Sequence, residues 1–286
     1  MTLSRKLFDS TKDWLPDNVF LSIFHRRRIG RFPNLRHPTT YNEKILQRCL
    51  YPDPRYVDLS DKLKVRDYVA GKVGSEYLVP LVAAPAVFTQ SAFDALPSSF
   101  AMKANHGSGF VQIVKDKKDT SFATLEALTR SWLSTDFYMI ARERHYRTIQ
   151  RRIFFETLLL GQDGKVPADL KFHVFNHRDR DPTIYICVIS DRFGTRPCGD
   201  MYDADWNLLD ITIGHYERST TALPRPENLD ALLRVARTLA SEFEYVRVDL
   251  YALNDAIYFG ELTFTPGAGV LRFLPETLDY EWGRLM

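Results

Sequence analysis

The chain has 286 residues, of which 45% are hydrophobic and 26% charged, with three cysteines and a formal net charge of +2. That length suits one large domain or two closely packed ones, and the composition excludes a disordered, collagen-like or disulfide-stapled protein. The near balance of charge gives no general pull toward nucleic acid or a membrane surface.

Residues 1–16 carry Arg5, Lys6, Asp9, Lys12 and Asp13 but no apolar core segment, so no signal peptide is expected. Residues 1–58 read as a helical N-terminal extension of short helices and irregular connections. Within it, Thr40-Tyr41-Asn42-Glu43-Lys44 opens a helix running to about Leu50. Asp58 or Ser60 can cap a second helix from Asp61 to about Gly71, with Gly74 marking its exit. Strands are predicted over 78–88, 99–105, 110–115, 152–159, 169–176, 183–190, 245–252 and 257–264, and helices over 121–134, 137–149 and 226–242. In the last helix Leu229, Leu232, Leu233, Ala236, Leu239 and Phe243 form a core-facing stripe. Several successive strands lack a helix between them, so the fold class is α+β with mainly antiparallel pairing, and no GxGxxG turn supports a Rossmann unit. Residues 77–88 are interrupted by Pro80 and Pro85 and are too short to span a bilayer, so no membrane insertion is expected. Cys49, Cys187 and Cys198 lack CxxC spacing, which argues against a zinc site and fits a reducing, cytoplasmic setting.

Chemistry concentrates first in residues 245–264. Arg247, Asp249, Glu261 and Thr263 share one parity of a predicted hairpin, and Val246, Val248, Leu250, Tyr258, Leu262 and Phe264 the other. With a three-residue loop Asp249 lies across from Glu261; with a two-residue loop the acids fall on opposite faces. Facing carboxylates repel unless a cation or shared proton compensates, and magnesium with a nearby nucleotide would do so. An Arg247–Glu261 salt bridge on a solvated face is the competing reading, of equal weight.

A second signal is Lys103 at the end of a strand, followed by Ala104-Asn105-His106-Gly107-Ser108-Gly109-Phe110. The glycines let backbone N–H groups approach phosphate oxygens, although such a loop is also an ordinary hairpin turn. The GxxxxGK[ST] order of a Walker loop is missing. On the strand after Arg151-Arg152, Glu156 can accept from an adenine amino group or pair with those arginines. Asp169 and Lys171 can serve a ribose hydroxyl and a phosphate, or decorate a strand surface. His173 and His177 do not converge from a strand, so they are not read as metal ligands. Two arginine-rich clusters, His25–Arg28 with Arg31 and Arg36, and Arg142 to Arg152, can hold an acidic acceptor or make internal salt bridges. Asp191-Arg192 and Tyr202–Trp206 can line a sugar site or form a surface loop.

Taken in order, these pieces resemble the ATP-grasp fold, and more closely its TupA-like branch, associated with teichuronopeptide and other surface-polysaccharide biosynthesis. The resemblance runs from Asn42-Glu43-Lys44 through Lys103–Gly109 to Tyr258–Phe264 and covers most of the chain. It implies two α+β subdomains gripping ATP, 59–157 with a glycine-rich lid and 158–286 with the metal site, after the 1–58 extension. It also implies roles. Arg66 contacts the α-phosphate, Lys103 bridges phosphates, and His106, Gly107, Ser108 and Gly109 through Phe110 fold over the β- and γ-phosphates. Glu156 and Leu158 hold adenine, and Asp169 the ribose with Lys171 beside it. Asp249, Glu261 and Thr263 ligate Mg2+, and Arg247 steadies a developing oxyanion. Thr263 departs from the asparagine of many relatives, which places a second metal position in question. The implied activity is ADP-forming ligation of a small-molecule or saccharide carboxylate to an amine through an acyl phosphate, with a lipid-linked or polymeric sugar as acceptor. A sugar or polyol kinase on the same scaffold, or a nucleotide-binding partner of a glycosyltransferase, remains the alternative.

Overall fold

The computed structural model describes residues 12–192, 194, 197–214 and 216–286. In chain order they form helices α1 (Asp17–Ile29), α2 (Tyr41–Leu50), α3 (Arg55–Ser60) and α4 (Val65–Lys72), then strand β1 (Leu81–Ala83) and helix α5 (Gln90–Asp94). There follow β2 (Phe100–Ala104), β3 (Val111–Val114), α6 (Phe122–Ser134), α7 (Tyr138–Ala141) and β4 (Ile153–Glu156). The second half contains β5 (Asp169–Phe175), β6 (Thr183–Ser190), β7 (Cys198–Asp203), β8 (Leu208–Leu209), β9 (Thr212–Ile213) and α8 (Leu229–Ala240). It closes with β10 (Tyr245–Leu253), β11 (Ala256–Thr263), β12 (Phe273–Leu274) and α9 (Thr277–Leu285).

Two antiparallel sheets carry the architecture, one of four strands in the order β1-β4-β2-β3 and one of six in the order β11-β10-β5-β6-β7-β8. The period of two along a strand sorts the six-stranded sheet into two faces. Leu170, Phe172 and Val174 of β5 face α8, whose Leu229, Leu232, Leu233, Ala236 and Leu239 are buried against them as the stripe predicts. Tyr56, Leu59, Val65 and Val69 of α3 and α4 join this core, so these helices share a core with the second half of the chain. On the opposite face Phe175 and Tyr245 pack under Tyr41, Ile45 and Leu46 of α2 and Trp282 of α9. That cover stops short of Asp169, Lys171, Asp249 and Glu261, which leaves a charged end of the same face toward the other sheet. The four-stranded sheet has its own core with Phe93, Leu125 and Trp132.

Helix α2 begins where the sequence places it. Thr40 accepts from the Glu43 amide while Glu43 accepts from the Thr40 amide, a reciprocal cap. Its Asn42-Glu43-Lys44 triplet is a fastening: Asn42 Nδ2 donates to Leu271 O at 2.8 Å, Glu43 holds Arg31 at 2.9 Å, and Lys44 reaches Met286 O at 2.7 Å.

Several expected elements are shorter. The strand over 78–88 shrinks to Leu81–Ala83, because the prolines at 80 and 85 cannot donate to a ladder. The helix from Asp61 starts at Val65, since the Asp61 carboxylate folds a turn by accepting from the amides of Leu63 and Lys64. Residues 137–149 break at Arg142, which takes a left-handed conformation with φ 56°. The strand over 152–159 ends at Glu156. Strand β7 has no expectation behind it: Gly199 and Asp200 are poor strand formers, yet a Cβ at Gly199 would sit 2.8 Å from Tyr216 Cβ.

Candidate active site

The hairpin of β10 and β11 closes through a two-residue loop, Asn254-Asp255, with Leu253 opposite Ala256 and Asn254 at φ 52°. Such a loop alone would set the acids on opposite faces. A bulge at Gly260 inserts one extra residue, because Leu250 pairs with Phe259 while Asp249 pairs with Glu261. The acids therefore face each other, and Arg247 faces Thr263. Beyond the bulge the parity reverses, so Ile257 and Phe259 enter the core and Tyr258, expected there, does not.

Arg247 lies between the two carboxylates. Its Nε donates to Asp249 Oδ1 at 2.6 Å, and its Nη2 donates to Asp249 Oδ2 and Glu261 Oε1, both at 2.8 Å. Thr263 donates its hydroxyl to Glu261 Oε1 at 2.9 Å. Lys171, opposite Asp249 on β5, donates to Asp249 Oδ2 at 2.5 Å and Asp169 Oδ2 at 2.7 Å. Arg192 reaches Asp169 at 2.5 Å, and Lys62 stands 3.4 Å from Glu261 Oε2. Both competing readings of the hairpin are thus partly realised: the acids face each other, and an arginine bridges them.

These contacts push the two acids apart electrostatically. Burial raises Asp249, against Arg247 and Lys171. Burial also opposes ionisation of Glu261, but Lys62, Arg247 and Lys171 together outweigh it and hold Glu261 well below the usual carboxylate range. Burial pulls Lys171 down, and Asp249 more than restores it.

At the facing sheet, Glu156 at the end of β4 accepts from Arg66 Nη1 at 3.0 Å and Lys103 Nζ at 2.6 Å, and not from Arg151 or Arg152. Arg66 also donates to Val79 O at 3.0 Å. Glu156 and Lys103 border a slot whose other walls are apolar, among them Val79, Ala101, Ile113, Leu158 and Val166. Lys103, Val111 and Tyr251 line both this slot and a second recess containing Lys62, Ser108, Gly109, Asp249 and Glu261, so the two adjoin. Across the cleft, among the described residues, six cations (Lys62, Arg66, Lys103, Lys171, Arg192 and Arg247) meet four carboxylates (Glu156, Asp169, Asp249 and Glu261), a surplus of two positive charges. Such a surplus favours a polyanion.

The glycine loop divides in function. Asn105 is fixed by Gln150 O at 3.0 Å and the Arg152 amide at 2.7 Å. His106, expected over the phosphates, is instead 1% exposed, with Nε2 3.1 Å from Trp132 O and its ring 5.2 Å from Phe110. The Trp132 carbonyl and the Phe110 ring hold it beside the core of the smaller sheet. Gly107 is buried, and a Cβ there would come within 2.6 Å of Phe137. Its carbonyl accepts from Lys62 Nζ at 2.6 Å. Only Ser108 and Gly109, the latter at φ 83°, form an exposed tip over the cleft. Asp169, expected at a ribose, is 1% exposed and occupied by Lys171 and Arg192 beneath the cleft floor.

Lys62, Arg192 and Tyr251 border this centre without having been assigned to it by sequence; Lys62 and Arg192 are cations near motif residues, which was the available signal. His173 is buried 2.8 Å from Tyr245 OH, whereas His177 sits on Thr183, so the two do not converge. Among the described residues no group of three His, Cys, Asp or Glu forms a metal cage. Asp249, Glu261 and Thr263 still fit magnesium in donor type, since that ion takes one or two carboxylates and completes its shell with phosphate and water.

Arg142, Arg144, Arg151 and Arg152 are turned inward to Lys12 O, Asp17 with Leu50 O, Leu133 O and Ala84 O. Arg147, the fifth of the cluster, is exposed and lies over the Tyr138 ring at 5.3 Å, so four of the five arginines are engaged within the fold. No helix of the described residues is long and apolar enough to cross a membrane.

A family model described as TupA-like ATPgrasp matches residues 43–286. No curated protein sequence matches the chain. Among solved structures, D-alanine–D-alanine ligase from Helicobacter pylori is 14% identical, with a TM-score of 0.42 over 79% of this chain and 59% of that one. The D-alanine–D-alanine ligase from Bacillus anthracis is 15% identical, with a TM-score of 0.43 over 80% of this chain and 65% of that one. N5-carboxyaminoimidazole ribonucleotide synthetase from Thermus thermophilus is 13% identical, with a TM-score of 0.40 over 87% and 52%. The chain thus spans less than two thirds of the length of each. These likenesses are distant, and the assignment stands on the family match over most of the chain: it belongs to the TupA-like ATP-grasp family.

Proposed function

We propose that the chain is an ATP-dependent, ADP-forming carboxylate–amine ligase, acting in the cytoplasm on a surface polysaccharide or its sugar precursor. The observation that carries this reading is a pair of adjoining recesses, an apolar slot edged by Glu156 beside a facing acid pair surrounded by surplus positive charge. The slot suits a purine, with Glu156 and the backbone at 157–159 at its edge. Lys62, Lys103 and Arg66 suit the phosphates, under the tip at Ser108-Gly109.

In the proposed reaction a substrate carboxylate attacks the γ-phosphorus of ATP. The new O–P bond forms as the bond to the β-phosphate oxygen breaks, giving an acyl phosphate and ADP. An amine then attacks the acyl carbon, phosphate leaves, and the amine proton passes to solvent. Asp249, Glu261 and Thr263 would hold magnesium, which when bound neutralises charge on the transferring phosphoryl group. Arg247, released in part from the acids, faces the reacting oxygens as a fixed cation. No side-chain nucleophile is needed, and the loop tip limits water that would intercept the acyl phosphate.

The test is incubation with MgATP, candidate uronic acids and hydroxylamine. Hydroxamate with stoichiometric ADP is expected. A stable phosphosugar in its place would replace the ligase with a kinase, and absence of ATP turnover with every acceptor would leave a nucleotide-binding module.

A further inference from the structure

The two arginine-rich clusters have different fates. In the one at 142–152, all but Arg147 are held by partners within the fold, as described above. The other ends α1 and faces a cavity of about 560 Å³ whose lining includes Arg27, Arg28, Arg31, Arg272, Glu276 and Tyr280. Cations in the last turn of a helix ordinarily answer its carbonyl end. Arg26 already does this, donating to Gly30 O. Arg31 is held by Glu43 and Asp279 at 2.9 and 3.1 Å, with Tyr280 beneath it at 5.5 Å. By contrast, no carboxylate among the described residues lies within ion-pair distance of Arg28 or Arg272; instead the Arg28 guanidinium lies over the Phe24 ring at 5.6 Å, and Arg272 Nε donates to the Arg28 backbone carbonyl at 3.0 Å, which anchors Arg272 to the end of α1. Four guanidiniums thus line a cavity with two acids, Glu276 and Asp279, and the second is engaged by Arg31.

The same cavity is tied to the acid pair by chain. From Thr263 the backbone runs through Thr265, 2% exposed, and a turn with Gly267 and Ala268 at φ 59° and 50°, to Leu271 and Arg272. Asn42 clamps Leu271 from both sides, at 2.8 and 2.9 Å. A strap pinned at Leu271 therefore carries the chain from the reactive end of β11 to Arg272.

The geometry points to this cavity as a subsite for an oxyanion on the acceptor saccharide, a phosphate or a uronate, held away from the reacting group. Planar guanidinium forks match both oxyanions bidentately, and the exposed face of Tyr280 offers a platform to the sugar ring. The inference rests on the proposed ligase reading for the identity of the ligand as acceptor, but not for the site itself.

The test uses the full chain saturated with MgADP, so that the nucleotide cleft is filled, and calorimetric titration with glucose 1-phosphate and with a glucuronic acid oligosaccharide. At least one should bind, and the Arg28→Ala/Arg272→Ala variant should bind it about tenfold more weakly or worse, the loss expected for charge-assisted hydrogen bonds. MgATP affinity should not change. The tighter ligand of the two identifies the oxyanion. Equal affinity in wild type and variant, or no binding of either ligand to wild type, would overturn the site. Both arginines are exposed, so folding is not at stake, and the single Arg272→Ala variant provides a second reading. If the hydroxamate test fails while arginine-dependent binding persists, the ligase reading falls and the subsite stands. Hydroxamate formation without such binding gives the reverse.

Discussion

Asn254 and Gly260 compensate each other: the first closes the hairpin one residue too soon for Asp249 to face Glu261, and the second restores the facing with one extra residue. The position is tight, since a Cβ at Gly260 would lie 3.1 Å from Asp249 O and 3.1 Å from the Tyr251 ring. Deleting Gly260 removes the bulge and puts Glu261 directly after Phe259, so Asp249 should still pair with Glu261 and ADP release should persist, with the circular dichroism spectrum retained. Gly260→Val should lower kcat at least tenfold through displacement of Asp249. Loss of ADP release in the deletion variant would show that the bulge itself, and not only the facing of the acids, is required.

Arg247 is the cation that makes the acid pair tolerable in the absence of magnesium. Its replacement by methionine leaves two facing carboxylates with only Lys171 and Lys62 beside them, an arrangement that costs about 3 kcal/mol or more for a buried pair. Arg247→Met should therefore melt several degrees below wild type in EDTA, and Mg2+ should restore more of that loss than it adds to wild type. Glu261→Gln should show no such rescue and no turnover. An equal Mg2+ response in wild type and Arg247→Met would separate the arginine from the ion.

How much of this was legible depends on the range of the interaction. The parity of Arg247 and Asp249, the stripe of α8 and the cap at Thr40 are local patterns, and the structure places them as the sequence predicts. The bulge at Gly260 was not legible, because glycine in a strand is compatible with several geometries and only the partner strand selects one. His106 looked like a loop residue beside glycines; its burial is decided by Trp132 and Phe110, which are distant in sequence or on the far side of the turn. The same holds for Asn42-Glu43-Lys44. The triplet carries the family resemblance, yet its side chains serve the junction of α2 with Leu271, Arg31 and the C-terminal residue, contacts that no spacing rule predicts.

Two carboxyls give opposite pH dependences. Burial acts against ionisation of Glu43, but the amides of Asn34, Thr39 and Thr40 and the Arg31 side chain bring it down to about 2 from an ordinary 4.5. Its contribution to stability is complete above pH 4.5 and is lost as pH falls toward 2. Glu143, buried behind the acid pair with Thr265 Oγ1 at 2.5 Å, is pushed up to about 7 by burial, with Glu261 adding to the effect. A carboxyl raised in the folded state favours folding most below pH 4.5, and that advantage disappears as pH rises through 7. Wild type should thus lose stability at both ends. Glu143→Gln, which cannot ionise, should melt above wild type at pH 8 and near it at pH 4. Identical curves across that range would show that Glu143 is not protonated in the fold.

Asn42 offers the sharpest separation of scaffold from chemistry. Its amide satisfies both the carbonyl and the N–H of Leu271, and the residue is fully buried. Alanine there leaves two backbone groups without partners, at about 1–3 kcal/mol each when water cannot reach them. Asn42→Asp with its carboxyl neutral keeps an acceptor and replaces the amide N–H by an O–H donor, so it should cost less than alanine at a pH where the new carboxyl is neutral. Because the acid pair lies on β10 and β11, upstream of the clamp, MgATP affinity should hold in both variants while the affinity for an anionic saccharide falls with the loosened strap. Urea unfolding gives the first quantity and calorimetry the other two. A parallel loss of nucleotide affinity would mean that the strap shapes the cleft as well as the cavity at Arg272.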